Sequence, residues 1–174
     1  MILIDAHVHV HDCFDSEIFL DAAASNFQRF LQIHFGNKDA QFVLMLSEQG
    51  HANYFKRLSN FTKNKTRYNT KHLNRWVFRS TNESEAVVAE NVNNQARLYI
   101  ISGRQIICHE NIEILALGTC KRIENGHSLI KTIEVIRSEK ALPVIPWGVG
   151  KWFGKRGKIV SNILQSSKDR SLCI

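Results

Sequence analysis

Asp5, His7, His9 and His11 fall on every second position of the opening stretch Met-Ile-Leu-Ile-Asp-Ala-His-Val-His-Val-His. Residues two apart on a β-strand point to one face. The spacing therefore predicts one face with an aspartate and up to three imidazoles, and another with Ala6, Val8 and Val10. Neutral imidazole is the commonest metal ligand, and two on one strand face can meet one ion. His7 and His9 are the leading ligand candidates, with Asp5 expected to orient a histidine. A divalent ion there, zinc or manganese, would lower the pKa of a bound water and supply hydroxide near neutral pH. That nucleophile suits a phosphoryl or carbonyl centre. The sequence assigns no catalytic base, because His109 and Glu113 lie on strands whose facing it leaves open.

A second stretch with chemical potential runs from Trp147 to Lys158. Its glycines, Gly148, Gly150, Gly154 and Gly157, would let backbone amides approach an anion. Lys151, Lys155, Arg156 and Lys158 add positive charge, and Trp147 and Trp152 could stack on a base or sugar. Lys151, Trp152, Lys155 and Arg156 are the candidate substrate-binding residues. The alternative is a tight turn with a solvated basic rim and both tryptophans packed as core.

These residues need elements to position them. Ile2 to Ile4 is a short apolar strand leading into the histidines. Glu17 to Ile33 carries apolar residues at helical spacing, with Asp15 or Ser16 as N-cap and Gly36 with Asn37 as the stop. Phe42 to Leu46 reads as a strand buried on both faces. Strand, helix, strand is a βαβ unit with parallel pairing. Such folds hold their sites at the C-terminal ends of the strands, which puts Glu48 and His51 in the right place to join His7 and His9. Ala52 to Leu58 is expected to be a short helix, and Ser59 to Arg75 a polar, basic loop.

The middle of the chain reads as short strands: Trp76 to Ser80, Glu85 to Ala89, Ala96 to Ser102, Gln105 to His109 and Glu113 to Gly118. Gly103 interrupts one apolar run and marks a bulge or close backbone approach. Gly126 to Glu139 has helical spacing, Leu142 to Pro146 reads as a strand, and Ile159 to Leu164 as a helix core. Leu172-Cys173-Ile174 looks like the opening of one more strand, so the chain is expected to be a shortened version of a longer protein.

Composition narrows the class. The 174 residues fit one domain with a real core. No apolar run approaches membrane-spanning length, and no basic-then-apolar leader opens the chain. Cys13, Cys108, Cys120 and Cys173 form no Cys-x-x-Cys pair, which argues against a zinc ribbon or a disulfide framework and for a cytoplasmic protein. The net charge of +7 points to anionic partners.

At Asp5-Ala6-His7-Val8-His9 the sequence resembles the opening of two groups of metal-dependent hydrolases, the amidohydrolases and the PHP (polymerase and histidinol phosphatase) phosphoesterases. Three later features resemble the PHP group more closely. Leu46-Ser47-Glu48 falls near the family's Thr-Asp-His motif. Ile101-Ser102-Gly103-Arg104-Gln105, followed by Ile112 to Gly118, resembles its Gly-x-Glu strand and the strand after it. Gly126, the following helix and Ala141 to Pro146 resemble the approach to its Pro-His-Pro motif. Gln105 stands where those enzymes have a metal-bridging Glu, and Trp147 where they have the His of Pro-His-Pro. The resemblance implies a partial or distorted TIM-like (β/α) barrel of PHP type with a β-rich insertion, forming a single α/β domain incomplete at its C-terminus. It implies a metal set of His7, His9, Glu48 and Gln105.

Together these observations predict a metal-dependent, phosphoesterase-like hydrolase acting on an anionic small molecule. The alternatives are a noncatalytic pseudoenzyme of the same fold that binds anions or nucleic acid, and an inactive remnant. Nucleic acid is the less favoured partner, and no membrane association is expected.

Overall fold

The computed structural model describes residues 1–63, 74–148 and 152–166. The chain divides into two compact units, Met1–Ser102 and Gly103–Ile174.

The first unit opens with β1 (Ile2–Val8), α1 (Ser16–Phe35) and β2 (Gln41–Leu46). Asp15 caps α1, its carboxylate accepting from the Ile18 N–H at 2.9 Å. Gly36 ends the helix at φ 66°, a left-handed conformation that favours glycine. Leu20 and Ala24 are buried, and Phe19, Ala23, Phe27 and Leu31 pack beside them on the same core. Phe27 stacks on Phe42 of β2 with ring centroids 5.1 Å apart. β1 and β2 pair in parallel, as the βαβ reading predicts.

The chain then forms α2 (Tyr54–Lys63) and a meander of β3 (Trp76–Ser80), β4 (Ala86–Asn91) and β5 (Arg97–Ile101). The expected short helix therefore runs on to Lys63. β5 returns to lie parallel to β2, and the sheet order is β1-β2-β5-β4-β3. The core lies between this sheet and its two helices. Leu44, Leu46, Leu98 and Ile100 supply it from the strands, and Phe55 and Leu58 from α2.

The second unit contains β6 (Gly103–Ile107), β7 (Glu113–Leu117), α3 (Leu129–Ser138), β8 (Leu142–Val144) and α4 (Lys155–Ser166). Its three strands are antiparallel in the order β6-β7-β8. Ser128 caps α3, and the Glu110 carboxylate also accepts from the Leu129 N–H. Pro143 sits on the edge strand β8, where a missing N–H is tolerated. Ile106, Ile114, Leu129, Ile136, Ile145 and Val160 fill the core.

The expected TIM-like barrel is not formed. The eight strands and four helices of the described residues make a mixed α/β protein with one five-stranded mixed sheet and one three-stranded antiparallel sheet. The reason lies in the connections. A barrel repeats a helical crossover after each strand, but β3-β4, β4-β5 and β6-β7 are joined by short links that force antiparallel pairing. The Gly103 interruption is also more than a bulge: the chain leaves one sheet at Ile101 and enters the other at Gly103. The predicted strand at Leu172-Cys173-Ile174 lies outside the described residues. Among the described residues, no helix is long and apolar enough to cross a membrane.

Candidate metal site

β1, β2 and β5 run in one direction, so their carboxyl ends lie along one edge of the first sheet. The two histidines sit at the β1 end of that edge. Asp5 pairs with Leu44 and Val8 with Leu46, so Ala6 and His7 stand opposite the single residue Met45. This is a β-bulge, and it shifts the alternation by one residue. Leu3 packs on the core before it, and Val8 and Val10 pack there after it. Asp5 therefore shares the side of Leu3, while His7 and His9 point away from Val8 and Val10. The expectation that Asp5 and the histidines share one face is corrected by the bulge. Asp5 instead holds the bulged backbone, its Oδ1 accepting from the His7 backbone N–H at 3.3 Å.

The two imidazoles converge. His7 Nε2 and His9 Nε2 are 3.1 Å apart, with ring centroids separated by 4.9 Å. Two nitrogens each about 2.05 Å from one zinc ion would be about 2.9 Å apart at a right angle and about 3.3 Å at the tetrahedral angle. The observed separation falls inside that interval. It also fits an Nε2–H···Nε2 hydrogen bond, which needs at least one imidazole neutral. The same pair can thus hold a shared proton or a cation. His9 is half-buried and His7 exposed, so the pair is open to solvent on one side. His11 lies next along, its ring centroid 6.4 Å from that of His9.

Glu48 has a structural task that its sequence position did not signal. It leaves the end of β2 and turns toward α2, where Oε1 accepts from the Phe55 N–H at 3.1 Å. That N–H is in the first helical turn and has no partner within the helix, so a buried carboxylate there caps α2 and matches its dipole. Among the described residues, no three His, Cys, Asp or Glu come together as a metal-holding group. His51 lies in the loop between Glu48 and α2, where its carbonyl accepts from Asn53 Nδ2 at 3.1 Å. Gln105 belongs to the second unit, buried on β6 in register with Leu115.

Two further features near the strand ends carried no sequence signal. Ser47 follows β2, donates its N–H to the Val8 carbonyl at 2.8 Å and is fully buried. Asp12, just after the histidines, pairs with Arg57 of α2 at 2.7 Å, and the Arg57 guanidinium lies 5.4 Å from the centre of the Tyr54 ring. Burial pushes the Tyr54 phenol above its ordinary pKa, against the charge of Arg57.

The candidate substrate residues all belong to the second unit. Lys151 lies outside the described residues. Trp152 packs partly buried against the second core, Arg156 is half-buried, and Lys155 is exposed. Trp152, Arg156, Glu113, Asn111 and Pro146 line a notch of only about 40 Å³. Two glycines of this stretch have local structural reasons. Gly154 adopts φ 64°, and a Cβ on Gly157 would collide with the Trp152 carbonyl oxygen.

No family model, no curated protein and no solved structure matches this chain.

Proposed function

We propose that the first unit binds a divalent cation through His7 Nε2 and His9 Nε2, and that the protein is a metal-dependent hydrolase of phosphoesterase type. One observation carries this reading: two imidazole nitrogens 3.1 Å apart at the carboxyl end of a parallel strand. A pair of nitrogen donors suits zinc, with manganese the second choice. Such an ion supplies an acidified water and polarises a phosphoryl oxygen. Asp5 fixes the bulge that aims the histidines, and Ser47 ties β1 to β2 behind them. The substrate class is an anionic small molecule, in keeping with the net charge of +7. Kinship with the PHP group rests on the His-x-His after a first parallel strand and on the βαβ order that follows. The thiols of Cys13, Cys108 and Cys120 are free, which supports a cytoplasmic location.

The use of Glu48 as a helix cap favours a second reading, in which the strand ends persist without catalysis and the chain binds anions only. Elemental analysis separates the two. Purified protein incubated with zinc or manganese is expected to retain close to one ion per chain, and His7→Ala with His9→Ala to retain none. An absence of retained metal in the unaltered protein would remove the hydrolase reading and leave the anion-binding one.

A further inference from the structure

We infer that the second unit carries a binding surface for single-stranded nucleic acid, built from Trp147, Phe153, Lys155 and Lys158. The proposed metal site does not account for this stretch, and the inference does not depend on that site.

Charge is the first argument. The second unit has twelve Lys and Arg against six Asp and Glu, so it holds nearly all of the chain's excess. From Lys140 to Lys168 the sequence has six basic residues and no acidic one. Lys155 and Lys158 are exposed and three residues apart on α4, which puts them on one helix face.

Aromatic exposure is the second argument. Phe153 is 74% exposed and Trp147 68%, the two highest values among large apolar side chains of the described residues. Trp152, beside Phe153, turns inward against the core. Local packing therefore partly covers one aromatic ring here, and two others are left in water within the acid-free stretch. Rings on a basic surface are what unpaired bases stack on, while ammonium groups contact the phosphates. A duplex would offer the phosphates but keep its bases stacked on one another.

A lipid surface is the less suitable occupant. A helix lying in a bilayer interface needs a free apolar face. The apolar residues of α4, Ile159, Val160, Ile163 and Leu164, already pack in or against the core.

The test uses the whole chain and a fluorescently labelled short oligothymidylate, with anisotropy followed against salt. Binding should appear at low salt and weaken as salt rises. Trp147→Ala and Phe153→Ala should each weaken it about thirtyfold, the middle of the range for loss of one stacked base. Lys155→Gln with Lys158→Gln should flatten the slope of log K against log salt by about 1.4. Circular dichroism of each variant confirms that an exposed position was changed without loss of fold. Three results would overturn the inference: no binding at low salt; aromatic variants that bind as well as the unaltered chain, with heparin competing fully; or tighter binding to phosphatidylserine vesicles than to the oligonucleotide.

Discussion

In the first unit β1, β2 and β5 run the same way, and Val8, Leu46 and Ile101 end side by side. In the second unit β6, β7 and β8 alternate in direction, so no two neighbouring strands end on the same edge. The polar residues that follow a strand therefore gather in the first unit, where His9 and Ser47 leave adjacent strands, and scatter in the second. Charge differs as well: eleven basic and ten acidic residues in the first unit, twelve and six in the second. Strand direction decides where a small site can assemble. A sheet without a shared edge leaves binding to its loops and helix faces, which is where Trp147, Phe153, Lys155 and Lys158 lie.

The comparison can be broken most severely at Asp21. Its Oδ1 accepts from Trp76 Nε1 at 2.9 Å and from Asn91 Nδ2 at 3.3 Å, and its Oδ2 lies 2.9 Å from Arg75 Nη1. One carboxylate thus fastens α1 to β3 and β4 beside a polar notch of about 200 Å³. Asp21→Ala leaves the buried indole and amide without that acceptor and should cost about 1–3 kcal/mol in urea unfolding. An unchanged midpoint would mean that the network contributes nothing net.

A mirror experiment in the second unit is Gly157→Ala. The added Cβ meets the backbone of Trp152, which cannot step aside as a side chain could. A loss of about 1–3 kcal/mol is expected, confined to the second unit. Metal retention by His7 and His9 should be unaffected, and a parallel loss of metal would show that the units are not energetically separate.

Glu48 sharpens the division between scaffold and site. Glu48→Gln keeps an oxygen acceptor for the Phe55 N–H, whereas Glu48→Ala removes it, at a cost of about 1 kcal/mol. Both variants should retain the same metal per chain. Loss of metal in Glu48→Gln would make the carboxylate a ligand rather than a helix cap alone.

The smallest effect belongs to Glu90, on β4. Its pKa is lowered by the Arg79 hydrogen bond first, with Arg97 also contributing. A carboxylate with a depressed folded pKa adds stability above its unfolded pKa, and that stability is lost as pH falls through the folded value. Glu90→Gln should therefore flatten the acid limb of the stability profile slightly. A profile that overlays that of the unaltered chain would show the exposed arginines to be fully screened.

The sequence by itself determined the elements. The spacing of Phe19, Ala23, Phe27 and Leu31 with Asp15 before it specifies α1 because helix period and capping act within a few residues, although Ile18 and Phe30, at the same spacing, are exposed. The same holds for the apolar run of β2 and for the helical spacing in α3. It also brought His7 and His9 together, since two residues between strand and loop cannot move far apart. Tertiary structure decided what lies beyond that range. The direction of β4 and β6 depends on which strand each meets. The bulge at Ala6 and His7 exists only in the register against Met45, and it separates Asp5 from the histidine side. Glu48 became a helix cap because α2 folds back to it, and Trp152 packs against the second core while Trp147 stays exposed. Local patterns fix what a segment becomes. Pairing and burial, set by residues far apart in the chain, fix what its side chains are free to do.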